Sequence, residues 1–138
     1  VPEKCDLFID RYTVPGETYE VCEKQILEAA EKLNLKDKVE VRLKARKSPY
    51  MEPFAIEKEH LLVETVLESF KEVTGENLRL EYDKSVCDSN ILANSLNIPT
   101  VTFGPSGGNM HGANEYGHLK QVLNATEIYI KTVQKLSK

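Results

Sequence analysis

The stretch FGPSGGNMHGANEY, residues 103–116, gathers four glycines, one proline, one histidine and one acid between an apolar run and an amphipathic run. Two chemistries suit these residue types. Gly104, Gly107 and Gly108 let main chain approach a ligand without side-chain obstruction. Successive free N–H groups in such a turn hold an anion, which fits a carboxylate or a phosphate. No lysine follows in Gly-Lys-Ser/Thr order, which argues against a nucleoside triphosphate loop. His111 is the second feature, because imidazole is a good ligand for borderline-soft metals such as zinc. Glu115, four residues later, is placed to orient that imidazole or to ligate. A lone loop histidine is equally a solvated surface residue, and nothing within the loop completes a set of three or four ligands.

The remaining reactive residues are scattered. Asp88 follows SVC, where it either caps a helix or orients a ligand. Asp10 and Arg11 end an apolar run; they read as an exposed pair, or Arg11 clamps a carboxylate in two-pronged fashion. His60 and His118 read as helix-start residues. Cys5, Cys22 and Cys87 have no metal-motif spacing and read as small buried residues in a reducing, cytoplasmic compartment. No Ser-His-Asp or Cys-His set is legible.

The elements that must position these residues follow from periodicity. Residues 5–12 alternate as a strand, and a Pro-Gly turn leads to a helix over 18–33 with Thr18 as N-cap and Cys22, Ile26, Ala30 and Leu33 inward. Val39, Val41, Leu43 and Ala45 alternate as a second strand. KSPYMEPF, residues 47–54, breaks the pattern with two prolines and places a domain boundary between 1–47 and 48–138. The spacing then predicts a helix over 57–73 with Leu62, Val66, Phe70 and Val73 inward and Gly75 as its stop. A short strand at 78–82, a short helix from Asp88 or Ser89 to Leu96, and a doubly buried strand at 98–103 come next. A last helix to about Leu136 buries Leu119, Val122, Leu123, Ile130 and Val133. Strands alternating with helices predict an α/β fold with parallel layers in the second part. The glycine loop then sits at a strand's carboxyl end, where ligands gather in such sheets.

Composition narrows the function classes. The 138 residues are 41% hydrophobic and 29% charged, which suits a globular domain. A net charge of −4 gives no general attraction for nucleic acid or anionic membrane. The basic RLKARK, residues 42–47, alternates with apolar residues as a solvated strand face does. No apolar run is long enough to span a membrane, and no secretory signal opens the chain. The start at Val1 has the look of a processed, excised or trimmed piece.

Several of these stretches together resemble one family, the metal-dependent amidohydrolases that include acetylornithine deacetylase, succinyl-diaminopimelate desuccinylase, aminoacylase and the carboxypeptidase G group. LFIDRYTVPGETYE resembles the strand and Pro-Gly-Glu-Thr turn of their lid, or dimerisation, domain. VCDSNILANSLNIPTVTFGPSGGNMHGANEY resembles their closing segment, with Ile-Pro-Thr-Val, a Gly-Pro-Gly loop and His-x-x-Asn-Glu-Tyr. The resemblance covers nearly the whole chain. It implies a partial ferredoxin-like lid (β-α-β) in 1–47, followed by the C-terminal part of a zinc-peptidase-like α/β catalytic domain in 48–138. It makes His111 the last ligand of a two-metal zinc or cobalt site, with Asn114, Glu115 and Asp88 in support. Gly104, Ser106, Gly107 and Gly108 bind a substrate carboxylate, joined loosely by Arg11. Asn90 stands where some relatives carry a substrate-holding arginine.

Complete relatives carry a His-x-Asp motif, a bridging Asp and a Glu-Glu pair upstream, and none of these is present. The resemblance therefore implies part of a hydrolase that cleaves N-acyl amino acids or small peptides and is inactive without an N-terminal segment. Half a lid leaves unpaired strand edges, which favour a homo-oligomer or a complementing N-terminal polypeptide. The alternative is a non-catalytic module that binds small anions or another protein.

Overall fold

A computed structural model describes residues 3–82 and 85–138; Val1 lies outside them. The fold is α/β. Its elements are α1 (Tyr19–Lys32), a 3₁₀ turn (Lys36–Lys38), α2 (Leu61–Thr74), α3 (Asp88–Asn94), β1 (Gly107–Gly108), β2 (Tyr116–Gly117) and α4 (Leu119–Leu136).

Each helix starts and stops for a local reason. Thr18 caps α1, its Oγ1 accepting from the Val21 N–H at 3.4 Å. α2 begins at Leu61 rather than near Glu57, because His60 is its cap: Nδ1 accepts from the Leu62 N–H at 3.1 Å. Gly75 ends α2 in the left-handed region at φ 76°, which glycine adopts without Cβ strain. Cys87 precedes α3, and its N–H is taken by Asn90 Oδ1 at 3.0 Å.

The principal packing is α2 on α4. Val63, Thr65 and Ser69 of α2 are buried, as are Ala125, Ile128 and Thr132 of α4. Across this seam Lys135 Nζ lies 2.6 Å from Glu72 Oε1 and 2.9 Å from Glu68 Oε2, and Lys131 Nζ 3.2 Å from Glu72 Oε2. The ion pairing holds the Glu72 carboxyl below its ordinary range and the Lys135 ammonium above its own. Phe103 stands edge-on to Phe70 (6.2 Å, 86°) and to Tyr129 (5.7 Å, 90°), and Tyr129 Oη donates to the Phe103 carbonyl. The segment leading to the glycine loop is thereby fastened between α2 and α4.

Three sequence expectations need correction. The runs at 5–12, 39–45, 78–82 and 98–103 are not ladder strands: among the described residues the one ladder is the antiparallel pair β1–β2. A strand needs a hydrogen-bonded neighbour, and among the described residues these runs pair with none; Leu7, Phe8, Ile9, Leu43 and Leu80 are each half exposed or more. The apolar stripe expected to seat α4 also faces outward, with Leu119, Leu123, Ile130 and Val133 exposed; the smaller Ala125 and Thr132 allow the closer approach to α2. Cys5 and Cys87 are exposed and Cys22 half-buried, all as free thiols, so none is a core residue.

The exposed area totals 11670 Å². A compact monomer of 15.6 kDa exposes about 7,200 Å². The difference is on the order of 4,400 Å².

Candidate functional site

The glycine loop is a small hairpin. Gly107 pairs with Gly117 and Gly108 with Tyr116. Between them the chain turns through Asn109, whose carbonyl accepts the Gly112 N–H at 2.8 Å. Asn109, His111 and Asn114 have φ of 55°, 61° and 59°, a region costly for most side chains and tolerated best by asparagine and histidine.

The glycines are needed here for packing within the hairpin. A Cβ on Gly107 would lie 1.9 Å from the Tyr116 carbonyl oxygen, and one on Gly108 would lie 2.7 Å from the Tyr116 ring. The Tyr116 ring stands edge-on to His118 at 5.5 Å. Gly104 lies beneath Tyr129, its notional Cβ 3.6 Å from the phenol oxygen.

Ser106 is the best-organised polar group of the loop. Its N–H and its hydroxyl both donate to Gln121 Oε1, each at 2.7 Å, and its carbonyl accepts the His118 N–H at 3.3 Å. Two donors meeting on one oxygen is the arrangement a carboxylate oxygen requires, here satisfied by a side-chain amide from the first turn of α4. Sequence reading missed Gln121, because nothing in a helical glutamine fifteen residues away marks it as a partner of Ser106.

His111, Asn114 and Glu115 are exposed on the same hairpin, and none makes a side-chain hydrogen bond among the described residues. Glu115 therefore does not orient His111 in this structure. Asp88 is exposed at the first position of α3, an acidic group at the positive end of a helix. Arg11 belongs elsewhere: Nη1 donates to Gln25 Oε1 at 2.7 Å and Nη2 to Glu17 Oε1 at 2.5 Å. Its guanidinium braces the turn before α1 rather than standing free. Asn90 is buried and engaged at both ends of its amide, accepting from the Cys87 N–H and donating from Nδ2 to the Glu52 carbonyl at 2.9 Å. Asn94 Nδ2 donates to the same carbonyl at 2.7 Å.

No group of three His, Cys, Asp or Glu side chains able to hold a metal exists among the described residues. One imidazole with one carboxylate nearby does not make a zinc centre, which takes three or four protein ligands. The described residues thus do not by themselves fit the metal that the sequence resemblance implies.

The chain belongs to peptidase family M20/M25/M40, whose sequence profile matches residues 5–135. It is thus a member of a metallopeptidase and hydrolase family whose enzymes generally use zinc or other divalent metals. No curated protein and no solved structure matches the chain. No helix of the described residues is long and apolar enough to cross a membrane.

Proposed function

We propose that this chain is the C-terminal portion of a metal-dependent amidohydrolase of the deacylase and carboxypeptidase type, related to aminoacylase, acetylornithine deacetylase, succinyl-diaminopimelate desuccinylase and carboxypeptidase G. Residues 1–47 are half of its lid and 48–138 the closing segment of its catalytic domain. The assembled enzyme hydrolyses the amide bond of an N-acyl amino acid or small peptide in the cytoplasm, with zinc or cobalt. The observation that carries this reading is the match of the family over 5–135.

His111, exposed at the hairpin tip with no side-chain hydrogen bond among the described residues, would supply one ligand to a metal held mainly by another segment. Asp88, Asn114 and Glu115 support it. Gly104, Ser106, Gly107 and Gly108 meet the substrate carboxylate, and Ser106 does so by exchanging the amide oxygen of Gln121 for the more strongly accepting carboxylate. Arg11 reaches that anion only by releasing Glu17 and Gln25. The excess of exposed surface supports a complementing N-terminal polypeptide, because an area on the order of 4,400 Å² exceeds the roughly 800 Å² per partner of an ordinary dimer contact.

Turnover of N-acetyl amino acids with added zinc or cobalt tests the reading. The chain alone is expected to give none. Activity is expected with a polypeptide carrying His-x-Asp and Glu-Glu motifs, and His111→Ala is expected to remove it. Robust turnover by the isolated chain, lost in His111→Ala, overturns the claim that it needs a complement.

A further inference from the structure

Pro105 has no N–H, so Ser106 carries the first main-chain donor after Gly104 in the glycine loop. That N–H and the Ser106 hydroxyl both end on Gln121 Oε1, at 2.7 Å each. A main-chain N–H can only donate, so it is the oxygen of the Gln121 amide that faces Ser106. Two donors fill both lone pairs of that oxygen. The amide nitrogen Nε2 has no hydrogen bond among the described residues.

The contact is arranged so that the side chain can leave alone. Gln121 is exposed, and its main chain is fixed in α4 by the bond from its N–H to the His118 carbonyl at 2.9 Å. Loop and helix stay joined without the amide. The Ser106 carbonyl accepts the His118 N–H at 3.3 Å, and Tyr129 Oη donates to the Phe103 carbonyl. Departure of the Gln121 amide into solvent therefore costs chiefly two exposed hydrogen bonds. Its lack of charge decides what displaces it. A neutral acceptor offers Ser106 nothing stronger than it already has, whereas a carboxylate accepts about twice as strongly.

We propose that Gln121 is a positioning residue that gates Ser106: its amide oxygen holds the two donors until a carboxylate takes its place, so the loop admits anionic acceptors and stays closed to neutral ones. This rests on the reading that the loop meets the carboxylate of an N-acyl amino acid or small peptide. It adds that a substrate with an amide at that end is refused. The closed form lowers the apparent affinity for the acid in proportion to its population. Two exposed bonds favour that form by about ten to one.

Binding is read on the 138-residue chain, with the Ser106, Gly107 and Gly108 amides followed by NMR during titration with N-acetylglycine. N-acetylglycinamide and sodium chloride at matched concentration are the neutral and ionic controls. The unaltered chain is expected to show weak, saturable shifts with the acid and none with either control. Gln121→Ala, which favours the helix, is expected to bind the acid about ten-fold more tightly. Gln121→Glu keeps an acceptor on both donors and suits the first turn of a helix, and it is expected to lose the binding.

A residue that only fastened the loop gives the reverse pattern: weaker binding with alanine, and binding retained with glutamate. That pattern, equal affinity in all three chains, or a saturable response to either control overturns the gate. Should alanine loosen the hairpin, seen as loss of the Tyr116 ring-current shifts, the glutamate chain decides alone, and retained binding there overturns the gate. Absence of any response to the acid in all three chains overturns it too. The hydrolase assignment is judged by turnover of the complemented enzyme, so the gate and that assignment fail separately.

Discussion

Replacing Thr132 by valine is expected to stabilise the isolated chain. Thr132 lies in the α2–α4 seam, and its Oγ1 is buried with no hydrogen-bond partner among the described residues. A hydroxyl buried without a partner costs about 1–3 kcal/mol by mutational measure. Valine keeps the β-branch, and its helix propensity is close to that of threonine, so the exchange removes the hydroxyl with little else changed. A gain of about 1 kcal/mol is expected. Ser69, fully buried on the facing helix with an equally unpartnered Oγ, gives the companion test. Ser69→Ala gains the same relief plus a few tenths of a kcal/mol of helix propensity. Urea unfolding followed by far-UV circular dichroism reads both. With a slope of about 1.5 kcal/mol/M, the midpoint is expected to rise by about 0.7 M at unchanged slope. The double variant is expected to be additive within about 0.5 kcal/mol. A midpoint that falls by a similar amount refutes the reasoning, and strong coupling in the double variant means that the two hydroxyls serve each other.

Other outcomes follow from the same contacts. Gly107→Ala is expected to unmake the β1–β2 hairpin, because its Cβ meets backbone at 1.9 Å; loss of the Tyr116 ring-current shifts in NMR spectra reports it. His60→Ala is expected to cost about 1 kcal/mol in thermal or urea unfolding, and His60→Asn, which keeps a capping acceptor, about half of that or less. The Glu72–Lys135 contact contributes stability that is present above the ordinary glutamate value of 4.5 and is lost as pH falls through the lowered Glu72 value. Its lysine side is present below 10.5 and is lost as pH rises through the raised Lys135 value. The melting temperature is therefore expected to level off between about pH 5 and pH 10, and Glu72→Gln is expected to blunt both edges.

The start of α1 and the stop of α2 were legible in the sequence because they rest on local chemistry, whereas the start of α2 was placed too early. Thr18 and Gly75 are recognised by residue type alone, and they stand where their types require. The face that α4 buries was not legible. Its apolar stripe at Leu119, Leu123, Ile130 and Val133 is the stronger periodic signal, but the closer contact runs through Ala125, Ile128 and Thr132. Alternating runs such as residues 5–12 carry the signature of strands, yet a ladder is made by two partners and one sequence names only one of them. At the hairpin, glycines read as room for a ligand also serve Tyr116. The Ser106–Gln121 contact was not legible, since it joins residues unmarked by any motif.

The Glu52 carbonyl, gripped by the side chains of Asn90 and Asn94, also bears on how the chain folds. These bonds close loops of 38 and 42 residues, and the ion pairs between α2 and α4 span 59, 63 and 67. Closing such loops takes entropy out of the chain before any contact repays it, so these contacts form after the helices themselves. Of these long-range contacts the asparagine clasp closes the shorter loops, so it is expected to set before the α2–α4 ion pairs.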